Sequence, residues 1–151
     1  MRAFEEHFGL LSLFGSALNK YSLLDGHTSD FGVGVDLHPS EIHMVSRVDC
    51  RDGVGVTELA EDIGITKGAV SQMVTRLAGK GLLVKEPDPE NRARVMIRTT
   101  DKGHTASENH LEFHRTHDKV FLDYLAGLND EEYAHVKEVA EQLNRWMDEY
   151  M

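Results

Sequence analysis

The sequence predicts a mainly α-helical chain, α+β in class because of one short β-hairpin, with helices at both termini flanking a small central domain. Three observations carry this expectation. Apolar residues recur at helical spacing through most of the 151 residues. A glycine divides two short amphipathic stretches between residues 56 and 81. Directly after them the pattern switches to strand-forming residues on either side of a proline-containing turn.

Taken in order, residues 3–24 read as a helix with Phe4, Phe8, Leu11 and Leu18 among its apolar positions, ended by Asp25-Gly26. The glycine-rich stretch 25–37 reads as a loop. His38-Pro39-Ser40-Glu41 opens a second helix with proline in its first turn; it carries Ile42, Val45 and Val48 and fades at Asp52-Gly53. VTELAEDIGI reads as a short helix with Thr57 as N-cap, broken by Gly64. Thr66 then caps KGAVSQMVTRLAGKG, whose Ala69, Val70, Met73, Val74 and Leu77 form an inward stripe. Its outward set is Lys67, Gly68, Ser71, Gln72, Thr75 and Arg76. Two helices across a tight glycine turn, the second showing small polar and basic residues to solvent, describe a helix-turn-helix.

LLVKE and RVMIRTT read as paired strands around the turn PDPENRA, which holds two prolines that blunt the edge, and Arg92. With Arg94 at the start of the second strand, this hairpin is a wing. Asp101-Lys102-Gly103 leads into a long helix, about 104–126, and Asn129-Asp130 caps a last amphipathic helix. Leu11, Leu18, Val120, Phe121, Tyr124, Leu125, Val139, Leu143 and Trp146 give the terminal helices more apolar surface than one small domain can cover. That surface predicts a homodimer.

A net charge of −10 argues at first against nucleic acid, but its distribution matters more. Residues 67–98 hold seven basic groups (Lys67, Arg76, Lys80, Lys85, Arg92, Arg94 and Arg98) against three acids, so a basic face is expected on an acidic body. Cys50 is the single cysteine, which rules out a disulfide within the chain and suits a reducing compartment. No apolar run approaches the roughly 20 residues that span a bilayer, and acids precede the apolar stretch near the N-terminus. A cytoplasmic location without membrane attachment is expected.

The contiguous run VTELAEDIGITKGAVSQMVTRLAGKGLLVKEPDPENRARVMIRTTDKG, followed by two further helical segments, resembles the MarR family of bacterial and archaeal regulators. The segment D-P-E-N-R, then a strand, then T-D-K-G, is the most specific part. The resemblance implies a winged helix-turn-helix DNA-binding domain over 37–103. It also implies dimerisation helices over 1–36 and 104–151, and recognition helices entering successive major grooves of double-stranded operator DNA. Thr66, Lys67, Gly68, Ser71, Gln72, Thr75 and Arg76 would face DNA, while Arg92 and Arg94 would reach backbone or minor groove. The chemistry agrees, since Gln and Arg read base edges whereas Ser, Thr and Lys mainly hold phosphates. The plain alternative is a solvated helix face, with Arg94 paired to Glu90.

Nine histidines are many for this length, and His110, His114 and His117 fall at i, i+4 and i+7 of one helix. Two histidines at i, i+4 can ligate one ion from one helix face. These positions resemble the zinc site of the AdcR-type and ZitR-type branch of the family. By that resemblance Asp25, His43, His110 and His114 would hold one Zn2+ per subunit. Asp25 is shorter than the glutamate of those repressors, so His27 or His117 could substitute. The positions matching the branch's auxiliary site are Phe31, Ile42 and Asn109, which cannot ligate. His7, His38, His104 and His135 read as ordinary surface residues.

Two other functions compete with metal control. A small organic ligand, phenolic or anionic, could occupy the cleft lined by the same histidines. A small metal-dependent hydrolase would need a general base such as Glu108 or Glu112, but neither lies in an H-E-x-x-H arrangement, and the wing would be left without a purpose. No catalytic residue is expected.

Overall fold

The structure, a computed structural model, describes residues 4–24, 27–88 and 94–149. Its elements run α1 (Phe4–Leu24), α2 (Pro39–Asp49), α3 (Val56–Ile63), α4 (Lys67–Gly79), β1 (Leu83–Pro87), β2 (Val95–Thr99), α5 (Asp101–His117), α6 (Lys119–Ala126) and α7 (Asp130–Asp148). The fold is the mainly helical, winged arrangement expected from the sequence. The strands form one antiparallel hairpin in which Leu83 faces Thr99 and Pro87 faces Val95. Val54, between α2 and α3, extends it by a bridge to Ile97.

One core lies between α2, α3, α4, the hairpin and the start of α5. Leu37, Ile42, Met44, Val45, Val48, Leu59, Val70, Val74, Leu77, Leu82 and Ile97 are its fully buried large side chains. Hydrophobic burial of this kind is what fixes the two short helices, which at 8 and 13 residues would be marginal alone.

Local chemistry sets the helix ends. Thr66 caps α4 as expected, its hydroxyl accepting from the Ala69 N–H at 3.2 Å. At α3 the cap is Gly55 and not Thr57: the Glu58 carboxylate accepts from the Gly55 N–H at 2.9 Å, and Val56 is the first helical residue. Gly64 ends α3 at φ 75°, a left-handed conformation that favours glycine. Within α4, Val70, Val74 and Leu77 are buried and Met73 is half-buried, but Ala69 is exposed and joins the outward face.

The expected long helix at 104–126 is two helices. It starts at Asp101, and Gly103 sits inside α5 where a Cβ would collide with the Leu82 carbonyl. It is interrupted at Asp118, whose backbone leaves the helical region at φ −96° and ψ 9°.

The terminal helices bury almost nothing within the chain. In α1 the described side chains are exposed apart from half-buried Phe14, and α6 and α7 have no buried residue. Among the described residues no helix is long and apolar enough to cross a membrane.

Candidate functional site

The convergence of α2 on α5 brings three histidines together. His43 comes from the first half of α2, and His110 and His114 come from one face of α5, one turn apart. One ring nitrogen of each lies within 4.8 Å of the others. The Nε2 atoms of His110 and His114 are 2.9 Å apart. The outer nitrogens of these two have partners of their own: His110 Nδ1 lies 3.3 Å from the Ser46 hydroxyl, and His114 Nδ1 lies 2.5 Å from a carboxylate oxygen of Asp118. Ser46 in turn is 3.2 Å from the Ser107 hydroxyl.

Burial, reinforced by the neighbouring His114 and His43, pushes the His110 imidazole down to about 4. The ring is therefore neutral at physiological pH, the form a metal requires. Three converging imidazoles, two of them with their outer nitrogens engaged, form a donor set that fits zinc.

The other residues nominated from sequence divide. His27 lines the cavity beside the trio but is not one of the three that converge. His117 is turned away, its ring stacked on Phe113 at 3.9 Å and its Nδ1 on the Phe113 carbonyl. Asp25 lies outside the described residues, as does Arg92.

The cavity itself measures about 360 Å³ and is walled chiefly by Tyr21, Phe31, Leu37, Ile42 and Phe113. Phe31 stands at φ 44°, with its carbonyl held by the Asn109 amide at 2.7 Å and its ring edge-on to His110. Sequence alone assigns no role to Asp118 or Ser46. Asp118 is reachable by carrying the i, i+4 spacing one turn past His114.

The second candidate surface is the exposed side of α4 and the hairpin. Lys67, Gly68, Ser71, Gln72, Thr75 and Arg76 are all exposed. The basic residues there are less free than their count suggests, because acids from other elements fold against them. Glu41, buried under α4, receives Lys80 at 2.7 Å and Arg76 at 3.4 Å. Burial would raise the Glu41 carboxyl, but hydrogen bonds from Lys80 and the His38 N–H and the nearby charges outweigh it and hold it below the usual range. Arg94 reaches Glu58 of α3 at 2.5 Å and Asp88 at 3.9 Å; Arg98 pairs with Asp52 and Glu86. Thr75 donates to the Ser71 carbonyl and accepts from Lys85, so its hydroxyl braces α4 against β1.

A glycine-turned helix pair followed by an antiparallel hairpin, on a core that leaves the second helix exposed, is a winged helix-turn-helix. Residues 37–95 match the MarR family. The chain is 30% identical over 129 residues to the HTH-type transcriptional regulator YhjH of Bacillus subtilis, covering 85% of this chain and 70% of that protein. It belongs to the MarR family of transcriptional regulators.

Solved structures share the fold. Streptococcus pneumoniae FabT in complex with DNA aligns at TM-score 0.65 and 21% identity, over 97% of this chain and 98% of that one. ZitR of Lactococcus lactis, described as a zinc-responsive MarR family member, aligns at TM-score 0.65 and 14% identity, over 93% and 98%. A mutant MarR from Escherichia coli complexed with operator DNA aligns at 0.63 and 19%, over 95% and 99%.

Proposed function

We propose that this chain is a homodimeric repressor that binds operator DNA through α4 and the wing, with an affinity set by one transition-metal ion per subunit. The observation that carries metal control is the convergence of His43, His110 and His114 from two helices onto one point. Zinc suits the set best, and Asp25 is the carboxylate that the resemblance adds to it. An ion held there ties α2, part of the DNA-binding core, to α5, which continues toward α6 and α7. Bound metal thus favours one placement of the recognition helix relative to the dimerising helices. It acts only through its preference for that placement over others.

Homodimer formation is supported by the exposed apolar faces of α1, α6 and α7, on which Phe4, Leu13, Val120, Phe121 and Trp146 stand exposed. On the DNA face, Gln72 and Arg76 read base edges, while Lys67, Ser71 and the Thr66 hydroxyl hold phosphates. Gly68 lets the backbone approach closely. Thr75 positions α4, and Arg92 and Arg94 serve the wing. FabT and MarR, solved with DNA, support this use of the fold. ZitR supports the metal reading.

One further reading has an observation behind it. The cavity of about 360 Å³ beside the trio has mostly apolar walls and would suit a small aromatic anion in place of a metal. Metal analysis of protein purified without an affinity tag separates the two. The metal reading expects about one zinc per chain. Metal-free protein whose operator binding responds to aromatic acids and not to zinc would select the other.

A further inference from the structure

We infer that Asp118 is a positioning residue of the metal site, holding His114 so that its Nε2 lone pair faces the centre of the trio; the inference rests on the metal reading above. Asp118 stands at the break between α5 and α6, where an aspartate ordinarily spends its side chain on capping the next helix. Here it does not. The Asp118 backbone carbonyl accepts from the N–H groups of Phe121 and Leu122, the third and fourth residues of α6, both at 2.9 Å, and the side chain makes no capping bond. The carboxylate turns back one helical turn instead and meets His114 Nδ1 at 2.5 Å.

The direction of that bond follows from chemistry. An ionised carboxylate can only accept, so the proton resides on Nδ1, and in a neutral imidazole the other nitrogen then carries the lone pair. That other nitrogen is the Nε2 that faces His110 at 2.9 Å. Ser46, the corresponding partner of His110, cannot impose a tautomer by itself, because a hydroxyl donates as readily as it accepts. Asp118 is therefore the group that fixes which nitrogen His114 offers. Its side chain is about half exposed, so the carboxylate faces water on one side and His114 on the other. Its negative charge also offsets part of the charge of a dication held by neutral rings. A carboxylate behind a ligating histidine is worth about 10–100-fold in metal affinity.

The test is binding of cobalt(II), followed by its visible absorption, to the full-length wild type, Asp118→Ala and Asp118→Asn. The imidazole 15N shifts of His114 are read in the metal-free proteins. Wild type should show the Nδ1–H form. Asp118→Ala should lose about 10–100-fold in cobalt affinity and show mixed tautomers with unchanged helix content, since the α6 cap is backbone-made. Asp118→Asn, whose amide oxygen still accepts the N–H, should recover part of the loss. Wild-type cobalt affinity in Asp118→Ala overturns the inference and leaves the three-histidine site standing. Equal loss in both variants with an unmoved tautomer also overturns it, marking a structural role only. A wild type that takes up no cobalt removes the metal reading itself, and this inference with it.

Discussion

His110 and His114 present their Nε2 atoms to each other at 2.9 Å across one turn of α5, with His43 of α2 completing the group. Two ring nitrogens at this distance cannot both carry a proton. The pair thus shares one proton or surrounds a cation, and burial makes a charged ring costly for His110. The surroundings of the pair favour neutral rings that converge.

Two histidines on α5 should pull stability in opposite directions with pH. His110 is held below its ordinary 6.5, down to about 4, so the unfolded chain binds more protons in that window and stability falls as pH drops from 6.5 towards 4. His104 is raised above 6.5 by its hydrogen bond to Asp49, then by the charges of Asp49 and Glu108. Its stabilisation is complete below 6.5 and is lost as pH rises through its higher folded value. Imidazole NMR titration of chelator-treated protein should place the two on opposite sides of 6.5. Finding both at the ordinary value would contradict the packing described for α2 and α5.

On the DNA face, Gln72→Ala should cost ~1–3 kcal/mol at the operator and little on unrelated sequence. Arg94→Ala should instead weaken binding to every sequence and lower the salt slope by about 1. Because Arg94 is tied to Glu58 at 2.5 Å, Glu58→Gln should strengthen non-specific binding by releasing it. Anisotropy titrations over a range of salt distinguish these outcomes. Identical behaviour of Gln72→Ala and Arg94→Ala would remove the division of labour.

Val120 and Phe121 are 87% and 62% exposed on a helix that buries nothing in its own chain. Val120→Glu with Phe121→Glu should convert a dimer into a monomer in analytical ultracentrifugation at micromolar concentration. A wild type that sediments as a monomer would refute the homodimer.

Gly103→Ala should destabilise the fold by about 1–3 kcal/mol, the usual cost of overpacking, because the new methyl meets the Leu82 carbonyl. Urea unfolding measures this, and a wild-type midpoint would show that α5 sits farther from the Leu82 backbone than described.

Much of this was legible from residue order alone. Thr66, Gly64 and the period of Val70, Val74 and Leu77 fix the helix pair through local chemistry and a single burial face. The histidine spacing at 110 and 114 likewise survives folding, because one turn of helix preserves it. What was hidden depends on partners distant in sequence. Gly103 reads as a residue leading into a helix but is a packing contact with Leu82. The basic count over 67–98 could not show that Glu41, Glu58 and Asp52 would lie against it. Asp118 sits unmarked within the expected long helix until its carboxylate is seen to turn toward His114.

The central claim, that the three-histidine cluster sets operator affinity, is tested most directly by one fluorescence titration. DNA from the region upstream of the chain's own gene is titrated with wild type, His43→Ala, His110→Ala and His114→Ala, each with zinc and with chelator. Couplings between sites are typically about 5–150-fold. Wild-type affinity should shift within that range between the two conditions, while the variants bind as the chelated wild type does whether or not zinc is present. Variants that keep the full zinc response would contradict the claim.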